Sequence, residues 1–235
     1  MLFIKLSVMN PLDEFLEFFS SESANVKNDA KPEDEEISFN YDIKVFSTHK
    51  LVRILNYIDL KLYKSIIPID LINYSSSNGF ISLQKKNKNL FNLVKNNRKY
   101  KKYFLKLAHK LLKINNFNSF ISVYNALKTF LTSKELEVFF EYDDVNYLRE
   151  EIYKHKEEYF IPPVKFFLNK LSSYKEKSRN FYKVIDLYVK LQDMKLKRIK
   201  KKEVKKLEEI LNEQKDTSDI VQKDNQFMFL LWLLD

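Results

Sequence analysis

The chain contains one glycine, Gly79, among 235 residues, together with five prolines and no cysteine. Tight β-hairpin turns depend on glycine at positions of positive φ, and small disulfide-stabilised folds depend on cysteine. The glycine-rich loops that hold nucleotide phosphates, G-x-x-x-x-G-K-[ST] and G-x-G-x-x-G, need several glycines and cannot be written here. The sequence therefore predicts an all-α protein and argues against kinases and NTPases that use these loops.

Hydrophobic residues make up 45% of the chain, which is enough for one sizeable core. We predict one helical domain over 39–235, preceded by a segment, 1–38, that holds a short helix and an acidic, partly disordered linker. The stretch NYSSSNG, 73–79, is predicted to be a loop. Apolar residues at helical spacing predict a helix from Thr48 to the break at Pro68, and one or two helices within 90–112. The same spacing predicts further helices over 117–131 and at about 144–159, 163–176, 180–213 and 222–234.

Few residues are available for covalent or metal chemistry. The chain has no thiol, and its three histidines are too far apart in sequence to show the spacing of metal ligands. Acidic pairs such as Asp143 and Asp144 are interpreted as solvated helix faces with intrahelical ion pairs. No stretch approaches the roughly 20 apolar residues that span a bilayer. We therefore expect no catalytic residue, no metal, no cofactor and no integral membrane segment.

The formal net charge of +9 is unevenly distributed, because residues 12–42 carry ten acidic side chains and two basic ones. The densest basic run is KLKRIKKKEVKK, 195–206. Leu196, Ile199 and Leu207 continue an apolar helical stripe beneath it, and no aromatic residue interleaves with the cations to stack on bases. A solvated face of one long helix is favoured, while nucleic-acid or membrane-surface binding through this run stays an alternative.

The most distinctive motif is LLKINNFNSFISVYNALKTF, 111–130, in which an Asn-Asn-Phe-Asn-Ser cluster joins two apolar helical runs. Asn116 or Asn118 is well placed to cap the second helix. The stretch resembles the catalytic domain of Ras-type guanine nucleotide exchange factors, whose motif reads L-x-N-F-N followed by [ILV]-x-[AG]-L-N. Asn116, Phe117 and Asn118 match its first part, whereas Lys128 replaces its last asparagine.

Two earlier stretches resemble the same family, in the family's order and at compatible spacing. THKLVRILNYIDLKLYKSIIPIDLI, 48–72, is similar to the opening helix and matches it at several positions, Asp59 among them. NLVKNNRKYKKYF, 92–104, aligns with the segment that carries a basic GTPase-contacting residue and later an aromatic one. Lys95 and Tyr103 fill those two places.

A fourth stretch, YFIPPVKFFLNKL at 159–171, is similar to the family's P-P-C-[VI]-P-[FY]-[LF]-G-x-Y-L. Pro162 and Phe166 match this pattern, and Lys170 stands where a tyrosine is expected. The resemblance covers roughly 42–190 and, more weakly, the C-terminal FMFLLWLLD, which occupies the place of the family's closing helix. The resemblance implies a single all-α bowl or bundle with a helical hairpin, in which Asn116, Phe117, Asn118 and Pro162 are structural.

The resemblance also implies a function, namely binding of a Ras-family small GTPase and promotion of GDP release without covalent chemistry by the factor. Lys95, Tyr103, Lys128 and Phe166 would contact the GTPase. Such a protein is expected in the cytoplasm, recruited to the membrane surface by its GTPase. Two alternatives stay open, a degenerate relative that binds a GTPase or another protein without exchange, and a basic helical binder of nucleic acid or membrane surface.

In this family, a hairpin after the proline-rich motif carries an apolar residue that displaces magnesium and an acidic residue that overlaps the phosphate site. The ungapped match places Lys175 and Arg179 at those two positions, and both are reversed in character. Glu176 substitutes for the acidic residue if the register slips. We expect the hairpin helices within 172–190, with Phe181 among the residues that pack them.

Overall fold

The computed structural model describes residues 43–71, 77–155, 159–174 and 178–214. These residues are mostly helical, which confirms the predicted all-α class. None of the helices in this part of the chain is long and apolar enough to cross a membrane. The α-helices of the described residues are α1 (Thr48–Ser65), α2 (Asn78–Asn96), α3 (Lys101–Lys113), α4 (Phe117–Lys128), α5 (Ser133–Leu136), α6 (Val145–Lys154), α7 (Val164–Ser172), α8 (Arg179–Asp193) and α9 (Lys201–Asn212).

Helix α1 lies between two hydrophobic cores and contributes to both. Ser47 caps it, because its hydroxyl accepts a hydrogen bond from the backbone N–H of Lys50 at 3.3 Å. Leu51, near the start of the helix, is buried in the first core, whereas Leu60 and Tyr63 are buried in the second. The helix is therefore a wall shared by the two cores.

The first core is formed by the apolar faces of α1, α2, α3, α4 and α9. Leu90, Phe104 and Leu207 are fully buried in it, one each from α2, α3 and α9. From α4, the ring of Phe120 stacks on that of Tyr124 with 5.5 Å between the ring centres. Removal of these side chains from water is the main term that favours the packing.

The second core is formed by α7 and α8 against the C-terminal half of α1. Phe167 and Tyr188 are fully buried there, with their rings edge to face at 5.0 Å. The Tyr188 hydroxyl also donates to the backbone carbonyls of Tyr63 and Ile66, at 2.9 and 3.0 Å. Because the last carbonyls of a helix lack partners within it, α8 completes the C-terminal end of α1.

The helix predicted over 180–213 is wrong in one respect, since the structure has two helices there. Helix α8 ends at Asp193, helix α9 begins at Lys201, and the backbone between them has no helical structure. Six cations fall within 195–202. On one continuous helix, cations three and four residues apart would lie next to each other and repel. This repulsion disfavours a helix through 195–202, and non-helical backbone changes the spacing of the charges.

The hairpin predicted inside 172–190 also differs from the structure. That stretch contains the end of α7 and most of α8, and these two consecutive helices pack against each other. Phe181, Val184 and Leu191 of α8 are buried in the second core. The helix therefore buries its apolar stripe in the body of the domain, and the described residues show no pair of helices within 172–190.

Several predictions concern residues outside the described ranges. These are the segment 1–38, the helix over 222–234 with FMFLLWLLD, and most of the loop predicted at 73–79. The last two residues of that predicted loop, Asn78 and Gly79, are instead the first residues of α2, and Ser77 is at its N-cap position.

Gly79 allows the start of α2 to approach the end of α1 closely. A Cβ atom built on Gly79 would lie 2.7 Å from Cγ1 of Ile66, 2.9 Å from Oγ of Ser65 and 3.2 Å from the backbone nitrogen of Ile66. Added atoms in packed space force their neighbours to shift. The glycine is therefore required here by close approach of two helices and not by a turn.

We expect Gly79→Ala to lower the free energy of unfolding by about 1 to 2 kcal/mol, because crowding against Ile66 exceeds the gain in helix propensity. Urea unfolding followed by far-UV circular dichroism measures the change. Ser82→Ala, at an exposed position of the same helix, is the matched control and is expected to be neutral or slightly stabilising. A stabilising effect of Gly79→Ala would show that the two helices leave room for a methyl group.

Candidate functional site

The Asn-Phe-Asn junction between α3 and α4 is a buried polar region. Asn115 follows α3 with a φ of 56°, in the left-handed region that asparagine tolerates better than most residues. Asn116 then caps α4, because its side-chain oxygen accepts the backbone N–H of Ser119 at 3.0 Å. Asn116 is one of the two caps that the sequence predicts. Phe117 follows it into the second core.

An ion pair between α1 and α2 lies against this junction. Nζ of Lys86 is 2.6 Å from Oδ1 of Asp59, and the two residues are 7% and 0% exposed. The hydroxyl of Ser119 donates to Oδ2 of Asp59 and accepts from Nζ of Lys86, both at 2.5 Å. An ion pair buried this deeply needs further hydrogen bonds to offset the loss of hydration.

Amide side chains supply those hydrogen bonds. Nδ2 of Asn118 donates to Oδ1 of Asp59 at 3.0 Å, and Nδ2 of Asn116 donates to Oδ2 at 2.9 Å. The carboxylate thus accepts four hydrogen bonds, which is its full capacity. Asn87 donates in turn to Oδ1 of Asn118 at 3.0 Å. Together these side chains form a buried polar cluster, which consists of Asp59, Lys86, Asn116, Asn118 and Ser119.

The proline-rich stretch is hydrogen-bonded to the same junction. The backbone N–H of Asn118 donates to the carbonyl of Ile161 at 3.0 Å, and the N–H of Ile161 donates to the carbonyl of Asn115 at 2.8 Å. Two residues earlier, the hydroxyl of Tyr159 accepts from Nδ2 of Asn56 on α1 at 2.6 Å. The junction therefore holds together three segments that are distant in the sequence.

Burial and the neighbouring negative charge shift the pKa of Lys86 in opposite directions. Burial lowers the pKa of Lys86, while the carboxylate of Asp59 favours the ammonium and opposes that shift. Beside the cluster, burial raises the pKa of Tyr63 well above its usual value. Since the Asp59 carboxylate has no remaining acceptor capacity, we assign the cluster to fixing the relative positions of α1, α2 and α4 rather than to acid–base chemistry.

Three of the predicted GTPase-contacting residues keep part of their side chains accessible. Lys95 lies near the end of α2. Tyr103 of α3 donates from its hydroxyl to the backbone carbonyl of Phe46 at 2.9 Å. Lys128, at the end of α4, forms an ion pair of 2.8 Å with Asp143. The three residues thus lie on three different helices.

The fourth predicted contact, Phe166, is a core residue. It is 8% exposed, and its ring packs edge-on against those of Tyr153 and Phe167. With so little surface, Phe166 contributes to packing in this structure, and its contact with a GTPase stays a prediction. Phe181 is also 8% exposed and lies in the same core.

The predicted hairpin residues are only partly covered by the structure. Arg179 is exposed and is the first residue of α8. Lys175 and Glu176 lie outside the described residues. Pro162 is buried, next to the backbone bridge at Ile161.

Lys86 is the main residue of the cluster that sequence reasoning missed. It comes three residues after Leu83 and four before Leu90, so it lies on the apolar stripe of α2. Asp59 likewise lies on the apolar stripe of α1, four residues after Leu55. The apolar periodicity of the two helices thus indicates that both charged residues are buried, although it does not show that they pair with each other.

A cleft of about 380 Å³ opens beside the junction, with Asn115 and Phe117 in its wall. His109, Glu151 and His155 also line it, and Nε2 of His155 is 3.9 Å from Oε2 of Glu151. Within the described ranges, no three or more His, Asp or Glu side chains form a group that could hold a metal ion. The lining of the cleft mixes polar, aliphatic and aromatic side chains.

Comparison with models of protein families and with curated proteins gives no match to this chain. The resemblance to Ras-type exchange factors accordingly rests on the four motif stretches quoted above.

Proposed function

We propose that this chain binds a Ras-family small GTPase and promotes release of its GDP. The observation that carries the proposal is the meeting of three of the four motif stretches at the buried polar cluster. Asp59 comes from the opening-helix stretch and Asn116 and Asn118 from the Asn-Phe-Asn stretch, while Ile161, which pairs with the junction, comes from the proline-rich stretch.

This meeting supports the proposal because the three stretches are far apart in the chain. Asp59 and Asn118 are 59 residues apart and share a hydrogen bond. Tyr63 and Pro162 are 99 residues apart, and the hydroxyl of the first donates to the carbonyl of the second. Chance matches to loose helical motifs have no physical reason to contact each other, whereas residues that define one fold do.

Nucleotide exchange of this kind is a coupling between two binding equilibria. If the factor binds the nucleotide-free GTPase more tightly than the loaded GTPase, reciprocity requires it to weaken nucleotide binding by the same ratio. The free energy comes from contacts between the two proteins, so the factor needs no acid, base or nucleophile of its own. The fully engaged carboxylate of Asp59 is compatible with such a role.

Lys95→Glu is expected to weaken binding to the nucleotide-free GTPase by about tenfold or more, because it reverses a charge at the proposed contact. Lys85→Glu, at an exposed position of the same helix, changes the net charge equally and is expected to alter binding by less than about twofold. Binding of the full chain is measured by fluorescence anisotropy against a panel of Ras-like GTPases, in nucleotide-free and GDP-loaded forms.

Release of a fluorescent GDP analogue is followed in parallel with binding. Accelerated release that is reduced by Lys95→Glu and retained by Lys85→Glu supports the proposal. Equal losses in the two variants would show that net positive charge alone attracts the GTPase, and would contradict the assigned surface. Neither binding nor release across the panel would contradict the function itself.

A second candidate function is binding of a GTPase without exchange. It is favoured by Arg179, which places an exposed cation at the start of α8, whereas the resemblance implies an acidic residue at the matching position. A cation does not imitate a phosphate group. Because of reciprocity, this alternative predicts equal affinity for the loaded and nucleotide-free GTPase. Binding without exchange also means that the rate of GDP release is unchanged.

A further inference from the structure

A dense group of cations lies between α8 and α9. Six basic side chains fall within the eight residues 195–202, here termed the basic segment, and all six are exposed. None of them forms an ion pair with any residue of the described ranges. The nearest acidic residues in the sequence are Asp193 and Glu203, and Glu203 is paired with Lys50 at 3.0 Å. The six are Lys195, Lys197, Arg198, Lys200, Lys201 and Lys202.

The basic segment is attached to the domain at both ends. Helix α8 ends at Asp193 before it, and Val204 of α9 is buried in the first core after it. Ile199 packs against the same core, whereas Leu196 is exposed among the cations. Residues 194–200 have no helical structure, so at about 3.3 Å per residue they reach up to roughly 20 Å. The charges are thus presented outward from a fixed support.

Grouping these cations costs free energy through mutual repulsion. Lys201 and Lys202 also lie in the first turn of α9, where the helix dipole disfavours positive charge. An extended surface of negative charge offsets both the repulsion among the cations and their unfavourable interaction with the helix dipole. We infer that the basic segment docks on a membrane surface rich in anionic phospholipid.

Nucleic acid is the alternative polyanionic partner of the basic segment, and the structure favours it less than a membrane surface. Proteins that hold single strands stack bases on aromatic side chains set among the cations, and 195–206 contains none. Proteins that read duplex DNA insert a helix or a strand pair into a groove, whereas four of the six cations precede the first residue of α9. Leu196 adds an exposed apolar side chain, which suits the boundary between headgroups and acyl chains.

The test measures binding of the full chain to phosphatidylcholine vesicles with and without about 30% phosphatidylserine. The test variant carries Lys195→Gln, Lys197→Gln, Arg198→Gln and Lys200→Gln. The control variant changes the net charge equally at four exposed lysines of α1, α2, α3 and α8, and carries Lys61→Gln, Lys85→Gln, Lys106→Gln and Lys183→Gln. Circular dichroism verifies that both variants fold.

The wild type is expected to bind only the anionic vesicles, and to be released as salt approaches about 0.5 M. Each basic side chain near such a surface contributes about 1 kcal/mol before screening. The test variant is therefore expected to bind at least about tenfold more weakly, and the control variant within about threefold of the wild type. This pattern supports the inference and needs no GTPase, so its failure is distinguishable from failure of the proposed function.

Three results would overturn the inference. Equal losses in the two variants would mean that net charge, and not the basic segment, drives binding. Tighter binding to a short single-stranded oligonucleotide than to the vesicles would assign the segment to nucleic acid. Absence of binding to the anionic vesicles by the wild type would show that the segment does not dock on such a surface.

Discussion

Asp59→Ala is expected to lower the free energy of unfolding by about 3 to 5 kcal/mol, because it leaves the ammonium of Lys86 buried without a counter-charge. The substitution also removes the acceptor that Asn116, Asn118 and Ser119 share. Each buried donor that loses its partner adds a desolvation cost. Urea unfolding of the full chain, followed by far-UV circular dichroism, measures the change.

Lys86→Met is the matched comparison, and it is expected to cost about 3 kcal/mol, the lower end of the range for a buried charge left without its counter-charge. The carboxylate of Asp59 keeps three of its four hydrogen bonds in this variant, and methionine fills the volume of the lysine stem. The double variant is expected to be less destabilised than the sum of the two, because it removes both charges together. A larger cost for Lys86→Met than for Asp59→Ala would contradict the central position of the carboxylate.

Features set by neighbouring residues could be predicted from the sequence. The start of α1 at Thr48, the break before Pro68 and the cap of α4 each depend on a few adjacent residues. The structure has the first two where they were expected, and it selects Asn116 from the two predicted caps. The all-α class follows from composition, because a chain with one glycine has little material for tight hairpin turns.

The division between α8 and α9 could not be predicted from the apolar stripe. Leu196 and Ile199 keep helical spacing across it, and neither glycine nor proline marks the point where α8 ends. In the structure Ile199 packs against the first core while Leu196 is exposed. The remaining local signal is repulsion among cations, and it disfavours a helix without fixing where the helix stops.

The buried polar cluster and Gly79 depend on contacts between segments that are distant in the chain. The stripe of α2 indicates that Lys86 is buried, but its partner Asp59 is 27 residues away on another helix. Gly79 reads as part of a loop because glycine is frequent in loops, and its actual role depends on the approach of Ile66. Periodicity identifies which residues are buried, whereas the pairing of those residues is a property of the folded chain.

Tyr188→Ala is expected to lower the free energy of unfolding by about 3 to 5 kcal/mol, since it empties a fully buried site at the contact of α8 with α1. The ring of Tyr188 lies 5.0 Å from that of Phe167 and 6.1 Å from that of Tyr63, measured between ring centres. A methyl group in its place leaves a cavity among these rings. The loss is measured by urea unfolding of the full chain.

Tyr188→Phe separates the ring from the hydroxyl and is expected to cost no more than about 1 kcal/mol. Gln192 donates from Nε2 to the same two carbonyls, those of Tyr63 and Ile66, so both keep a donor when the hydroxyl is removed. Adding Gln192→Met to Tyr188→Phe is expected to cost more than the sum of the single changes, because the carbonyl of Ile66 then loses both of its donors, while that of Tyr63 keeps the backbone N–H of Ile66. A Tyr188→Phe variant as unstable as Tyr188→Ala would show that hydrogen bonding, and not packing of the ring, attaches α8.

The urea unfolding curve of Tyr188→Ala also tests whether the two cores unfold together. Helix α1 contributes side chains to both cores, so a defect in the second core is expected to destabilise the first through that helix. One transition, with an unchanged dependence on urea, is therefore expected. A second transition at lower urea would show that α7 and α8 unfold from a first core that stays folded, and would mean that α1 does not couple the two cores.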